Sequence, residues 1–167
     1  KGGTDSQAIS VTVTQGPLRL QVKMLLQGAY DNDAQLMRDT LRTKGVIPST
    51  QPYATLGHIG TETILPSLLT TTGNDAPVDW VLVEIRSATT PSTVLMRIPG
   101  LVQRDGDVMD PATGSNNLAI PGLTVGSYHI AVRHRNHLGV ITAAPVSVLT
   151  SSTTQVDFTT SATAVSG

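Results

Sequence analysis

Two stretches in which apolar and polar residues alternate constrain the fold of this chain most strongly. Residues 73–86 read GNDAPVDWVLVEIR and residues 126–137 read GSYHIAVRHRNH, and a turn signal opens each of them. A period of two residues, with many β-branched side chains, predicts strands that bury a face. We therefore expect both stretches to be strands of a β-rich domain.

Glycine and proline divide the chain into pieces that are mostly too short for ordinary helices, because 15 glycines and 10 prolines interrupt it. Eight pieces read as strands: Ala8 to Gln15, Leu18 to Gln27, Val78 to Arg86, Thr93 to Ile98, Asn117 to Ile120, Ser127 to His134, Pro145 to Thr150 and Thr154 to Thr159. Short strands at close spacing predict an all-β fold, an immunoglobulin-like antiparallel β-sandwich.

One segment, residues 33–43, has a helical pattern instead. Leu36, Met37 and Leu41 are spaced as on one helix face, and Asp33 suits an N-cap. We predict a short helix or a pair of helical turns across one end of the sandwich.

The core is expected to be aliphatic, because the 167 residues include only one Trp, three Tyr and one Phe. Trp80 alternates with Val81, so it faces either the surface or a second covered side of its strand. Both faces of this strand are mostly apolar, with Glu84 as the exception, which favours a central strand covered on both sides.

Charge and cysteine content exclude several functions. With 11 basic and 12 acidic residues the net charge is -1, so nucleic acid is not an expected partner. The chain contains no cysteine, so it has neither disulfides nor thiol chemistry. No apolar run reaches the roughly 20 residues of a membrane span.

Several stretches are similar to a known group of proteins in their actual residues as well as in their period. They are LRLQVKMLLQGAYD, LMRDTLRTKGVIP, PYATLG, LVQRDGDVMD and the two alternating stretches above. Together they resemble a β-rich domain of secreted and surface proteins of Bacteroidota, over about residues 18–158. The resemblance implies an extracellular location and a β architecture, without a known activity. Lys1 in place of Met suits a chain processed after export, although a cut piece would look the same.

A candidate metal site is the acidic loop at residues 104–117. Asp105, Asp107 and Asp110 lie two and three residues apart around Gly106, and clustered carboxylates are the ligands that calcium prefers. The alternative is a solvated turn between strands. Calcium is the only cofactor that the sequence suggests.

No catalytic arrangement is visible in the sequence. His129, His134 and His137 lie within nine residues, but His129 and His134 belong to opposite faces of one strand and should not converge on a metal. We expect His134 to be partly buried and hydrogen-bonded to backbone. There is no G-x-S-x-G, no H-E-x-x-H and no phosphate-binding loop, so we predict that the chain is not an enzyme.

The N-terminal segment suggests how the domain is used. We divide the chain into residues 1–16, an extension and candidate donor strand, and residues 17–167, a single β-sandwich domain. The expected subunit interface is an apolar stripe of Ala8, Ile9, Val11 and Val13. This strand either completes its own sheet or pairs with the open edge of a neighbouring copy.

The predicted function is structural. We expect a subunit of an extracellular bacterial filament or adhesive surface appendage, pilus-like in its use of donor-strand pairing, in which identical copies join head to tail. The alternative is a monomeric ligand-binding or accessory module of a larger secreted protein. A surface glycan or protein is the expected ligand in either case.

Overall fold

The computed structural model describes residues 16–160, so the predicted strand Ala8 to Gln15 lies outside the described region. The described strands are β1 (Leu18–Lys23), β2 (Tyr30–Asp31), β3 (Leu36–Met37), β4 (Pro77–Ser87), β5 (Val94–Gln103), β6 (Val108–Met109), β7 (Leu118–Ile120), β8 (Gly126–Arg133), β9 (Val140–Ile141), β10 (Val146–Val148) and β11 (Thr154–Asp157). The helical pieces are α1 (Thr40–Thr43) and the 3-10 turns Ala54–Leu56, Pro66–Thr70 and Gly73–Asp75. The predicted all-β class is confirmed.

The strands form two facing sheets and a small hairpin. One sheet has the order β11-β1-β7, and the larger one has the order β10-β8-β4-β5-β6, with β9 also paired to β8. β2 and β3 form the hairpin. The β1–β11 pair is parallel, while the other strand pairs of the described region are antiparallel, in line with the predicted antiparallel sandwich. Parallel neighbours need a long connection, and most of the domain lies between these two strands.

The main core lies between the two sheets. From β4, Val81, Val83 and Ile85 face the smaller sheet, and from β1 the alternating residues Leu18 and Leu20 face them. All five side chains are buried. Alternation along both strands therefore supplies the two inner faces of the sandwich, as in aligned sheet packing. The sandwich architecture follows, while the immunoglobulin-like topology stays a prediction.

A second core cluster covers the opposite face of β4. Trp80 and Leu82 pack there against Tyr53 and Ile64, which belong to the long connection between α1 and β4. Trp80 is fully buried, and its indole N–H donates to the carbonyl of Pro48 at 2.7 Å. The prediction that β4 is a central strand covered on both sides is confirmed.

The predicted helix at residues 33–43 is present only as α1, at its C-terminal end. A carboxylate oxygen of Asp31 accepts the backbone N–H groups of Asp33 and Ala34, and Gln35 has φ of 54°. Such side-chain bonds to backbone compete with a helix, and a left-handed residue interrupts it. Leu36 and Met37 are instead the second strand of the hairpin.

Candidate functional site

The acidic loop predicted to bind calcium is tied to the rest of the domain through Asp107. Its two carboxylate oxygens accept hydrogen bonds from Lys23 Nζ at 3.3 Å and from Asn116 Nδ2 at 3.2 Å. Lys23 comes from β1, far away in the sequence. The carboxylate therefore already has a cationic partner within the protein, in a partly exposed ion pair.

The other two acidic side chains each serve their own turn. Asp105 accepts the backbone N–H of Asp107 at 3.2 Å. Asp110 accepts the backbone N–H and the hydroxyl of Thr113 at 2.9 and 3.1 Å. Within residues 16–160, no three acidic or histidine side chains lie together in a way that could hold a metal ion. The predicted calcium site of Asp105, Asp107 and Asp110 is therefore not supported by the geometry.

A polar cluster that sequence reasoning missed surrounds Asp79, near the start of the most apolar strand. Its side chain is 3% exposed, and both oxygens lie 2.9 Å from a guanidinium nitrogen of Arg135. It also accepts the backbone N–H of Trp80 at 2.8 Å and a bond from Nε2 of His134 at 3.1 Å. A buried carboxylate is stable only when it is paired in this way. An acid inside an apolar strand is the sequence signal that could have revealed it.

The two histidines next to Asp79 form a relay whose hydrogen bonds fix both ring tautomers. Nε2 of His134 donates to Asp79, so its Nδ1 accepts from the backbone N–H of Asn136 at 3.1 Å. The Nδ1 atoms of His134 and His137 are 2.9 Å apart, so His137 is the donor between them. Nε2 of His137 then accepts the N–H of Gly28 at 3.3 Å. Both rings are neutral in this assignment.

Burial and neighbouring charge act on two titratable groups of this region. Burial, and then the adjacent His134, lower the pKa of His137. Burial, and then the carboxylate of Asp79, raise the pKa of Tyr53, whose hydroxyl donates to the carbonyl of Trp80 at 2.6 Å. Both shifts favour neutral side chains in the folded state. Through the hydrogen bonds of Asp79 with His134 and of His137 with Gly28, the cluster joins β4 to the β8–β9 and β1–β2 connections.

Beside this cluster lies a cleft of about 490 Å³ between the β1–β2 connection and the chain that follows β8. Arg38 and His137 line it together with apolar side chains such as Leu26 and Leu41. The guanidinium of Arg38 donates to the carbonyl of Gly28 at 3.3 Å. It is a concave surface with a few polar groups, the kind that small ligands use.

The edges of the two sheets form a different kind of surface. β5 pairs with β6 only at Leu101 and Val102, so within the described chain residues 94–100 have a strand neighbour on one side only. β7 pairs only with β1 among the strands of the described region. Between these two edges runs a groove of about 660 Å³. Its apolar lining includes Met96, Ile98, Pro99, Ala119 and Pro121, and the charged residues Glu62, Arg97 and Asp110 line it as well.

β1, in contrast, is paired on both sides. Leu20 lies opposite Leu118 of β7 and also opposite Thr154 of β11. The predicted interface residues precede β1 across Gly16 and Pro17, and they lie outside residues 16–160. They are Ala8, Ile9, Val11 and Val13. Among the described strands, Leu18 and Arg19 have no partner on the β11 side, so a strand that precedes β1 could pair there with these two residues only.

Comparison of the chain with models of protein families, with curated proteins and with solved structures found no match. Among the helical segments of residues 16–160, none is both long enough and apolar enough to cross a lipid bilayer.

Proposed function

We propose that this chain is a structural subunit of an extracellular bacterial filament or adhesive surface appendage. Identical copies join by donor-strand pairing of the N-terminal segment, residues 1–16, with the sandwich of the next copy. The resemblance to secreted and surface proteins of Bacteroidota supports the location. A repeated head-to-tail contact of this kind builds an open polymer.

The pairing of β1 on both sides is the observation that carries the proposal. A strand joined to β1 by a turn at Gly16 and Pro17 would ordinarily pair with β1 itself as a hairpin. β7 occupies one of those positions from Leu18 to Leu20, and β11 occupies the other from Leu20 to Lys23, so a strand that turns back at Gly16 and Pro17 finds only Leu18 and Arg19 unpaired, on the β11 side. A preceding strand longer than these two residues therefore needs a further edge, and exposed edges are templates for pairing between chains.

The apolar stripe of the segment supplies the free energy for such a joint. Burying three side chains, Ile9, Val11 and Val13, contributes about 1.5–3 kcal/mol each. Each net backbone hydrogen bond adds about 0.5–1.5 kcal/mol. Association itself costs about 4–15 kcal/mol, so the side chains and the backbone ladder are both needed for a durable joint.

The surroundings of the most reactive side chains support a structural role over a catalytic one. The side chains of Asp79 and His134 are each 3% exposed and hydrogen-bonded within the protein. Glu84, also buried, pairs with Arg86 and with Arg97 at 3.4 Å. Groups that are paired and buried in this way stabilise the fold, and a substrate would have to displace their partners to reach them.

Electron microscopy and sedimentation of the purified full chain test the proposal. Filaments whose axial repeat matches one domain are the expected result. A monodisperse monomer over a wide range of concentration would contradict it.

The alternative function is a monomeric ligand-binding or accessory module of a larger secreted protein, and the cleft beside Arg38 and His137 favours it. A monomeric chain whose thermal stability rises with a soluble glycan, while a His137→Asn variant does not respond, would support this alternative. Filaments that form equally well with and without the glycan would speak against it.

A further inference from the structure

We infer that the acceptor for the donated strand is the groove between β5 and β7 of the next copy. The inference rests on the proposed function and names the surface that the N-terminal segment occupies. The occupant is the stretch from Ala8 to Thr14 of a second copy, paired with the free edge of β5.

The side of the sandwich at this groove is incompletely covered. Met96 and Ile98 pack against the main core cluster, yet both remain partly exposed at the groove. On the smaller sheet, the facing edge is β7, which contributes only three residues, Leu118–Ile120. Two core side chains are thus left between a long strand and a short one, where a further strand would cover them.

The length and the spacing of the donor match this edge. Ile9, Val11 and Val13 are separated by two residues each, so in a strand they lie on one face and span about 13–14 Å. The free part of β5, residues 94–98, has five residues, as many as the stretch from Ile9 to Val13. It ends before Pro99, which has no N–H to donate. A strand paired there would extend the inward-facing row of Met96 and Ile98.

The other long edge of the described sandwich suits an apolar stripe less well. Beside β11 lies a depression whose eight lining residues include Lys23, Asp107 and Asp157 and only two apolar side chains, Val22 and Val156, whereas seven of the twelve residues that line the β5 groove are apolar. Aliphatic side chains there would remove water from charged groups without pairing them, which costs free energy. The remaining edges of the larger sheet, β6, β9 and β10, are two, two and three residues long. The edge of β5 is therefore the acceptor that the chemistry favours.

Disulfide trapping in a chain that has no native cysteine tests the inference. One preparation carries Val11→Cys and a second carries Met96→Cys; they are mixed, allowed to assemble and oxidised. A disulfide requires Cβ atoms about 3.5–4.5 Å apart, so a bond forms only between neighbours. The donor position is also scanned with Ile9→Cys and Val13→Cys, because register is defined only to a step of two residues.

The expected result is a covalent dimer of twice the chain mass on a non-reducing gel. The matched control replaces Met96→Cys with Gln155→Cys on the edge of β11, and it should give no dimer. Filaments in which the donor is trapped by Gln155→Cys, or by neither position, would overturn the acceptor assignment and leave strand donation standing. If the full chain forms no filaments, that result would instead contradict the proposed function itself.

Occupancy by the chain's own segment is the remaining outcome. Gly16, the first described residue, lines the same depression as Pro121, which directly follows β7. A single chain that carries both Val11→Cys and Met96→Cys reports on this arrangement. If oxidation of the dilute double variant closes a bond within one molecule and gives no ladder of multimers, the inference is overturned. A ladder of multimers supports it.

Discussion

Replacing Trp80 by alanine removes the largest fully buried side chain of the described domain. The substitution opens a cavity between β4 and the connection that covers its outer face, at a cost of about 3–5 kcal/mol. It also removes the indole donor to the carbonyl of Pro48, a net loss of about 0.5–1.5 kcal/mol. We expect the free energy of unfolding to fall by about 3.5–6.5 kcal/mol, a large part of the ~5–15 kcal/mol of a typical domain.

Urea unfolding followed by far-ultraviolet circular dichroism measures this loss, because the variant has no tryptophan left to report by fluorescence. Trp80→Phe fills most of the space but cannot donate to Pro48, so it should cost less, about 1–3 kcal/mol. Leu138→Ala is the matched control, since Leu138 is 91% exposed and its loss should change stability by less than about 0.5 kcal/mol.

A loss below about 1 kcal/mol for Trp80→Ala would refute the burial of β4 on both sides. Fluorescence of the unmodified chain gives an independent check. Emission from Trp80 should already be blue-shifted in a chain that lacks residues 1–15. Emission that is red in that chain and turns blue only on assembly would locate the indole at a subunit joint instead.

Three further predictions concern the polar groups. The pKa of His137 is lowered in the folded state, so the unfolded chain takes up a proton first as the pH falls below about 6.5, and the folded state then loses stability. His137→Asn should therefore flatten this part of a pH–stability profile. An unchanged slope would contradict the neutral relay. Asp79→Ala should lower the free energy of unfolding by about 3 kcal/mol, because Arg135 and His134 lose their buried partner; a neutral effect in urea unfolding would show that the cluster is dispensable. EDTA should leave the melting temperature unchanged, since Asp107 is already paired within the protein; a lower value would show that the loop rearranges around calcium.

Two of the three long strands could be predicted from sequence because their own side chains specify them, whereas β5 runs five residues past the predicted end at Ile98. β4 and β8 were expected at Val78 to Arg86 and Ser127 to His134, and both agree with the structure to within one residue at each end. The two-residue strands β2, β3, β6 and β9 have too little pattern of their own, and they exist through pairing with other parts of the chain. Leu36 and Met37 have helical spacing, but pairing with β2 outweighed it.

The polar groups could be predicted less well, because their partners are far away in the sequence. The calcium prediction grouped the loop carboxylates by their spacing in the sequence. In the structure, hydrogen bonds from Lys23 and Asn116 fix the orientation of the Asp107 side chain. Similarly, Asp79 meets Arg135 only through the pairing of β4 with β8. Local sequence reports which side chains lie on one face of a strand, and it does not report which distant strand brings their partners.

The assembly state of the chain with and without its N-terminal segment tests strand donation most directly. Sedimentation velocity and electron microscopy compare the full chain with residues 16–167, and then with residues 16–167 plus a synthetic peptide of residues 1–15. We expect filaments from the full chain, monomers from the shortened chain, and a one-to-one complex of the shortened chain with the peptide that stays unpolymerised. Filaments of normal appearance from residues 16–167 alone would contradict strand donation.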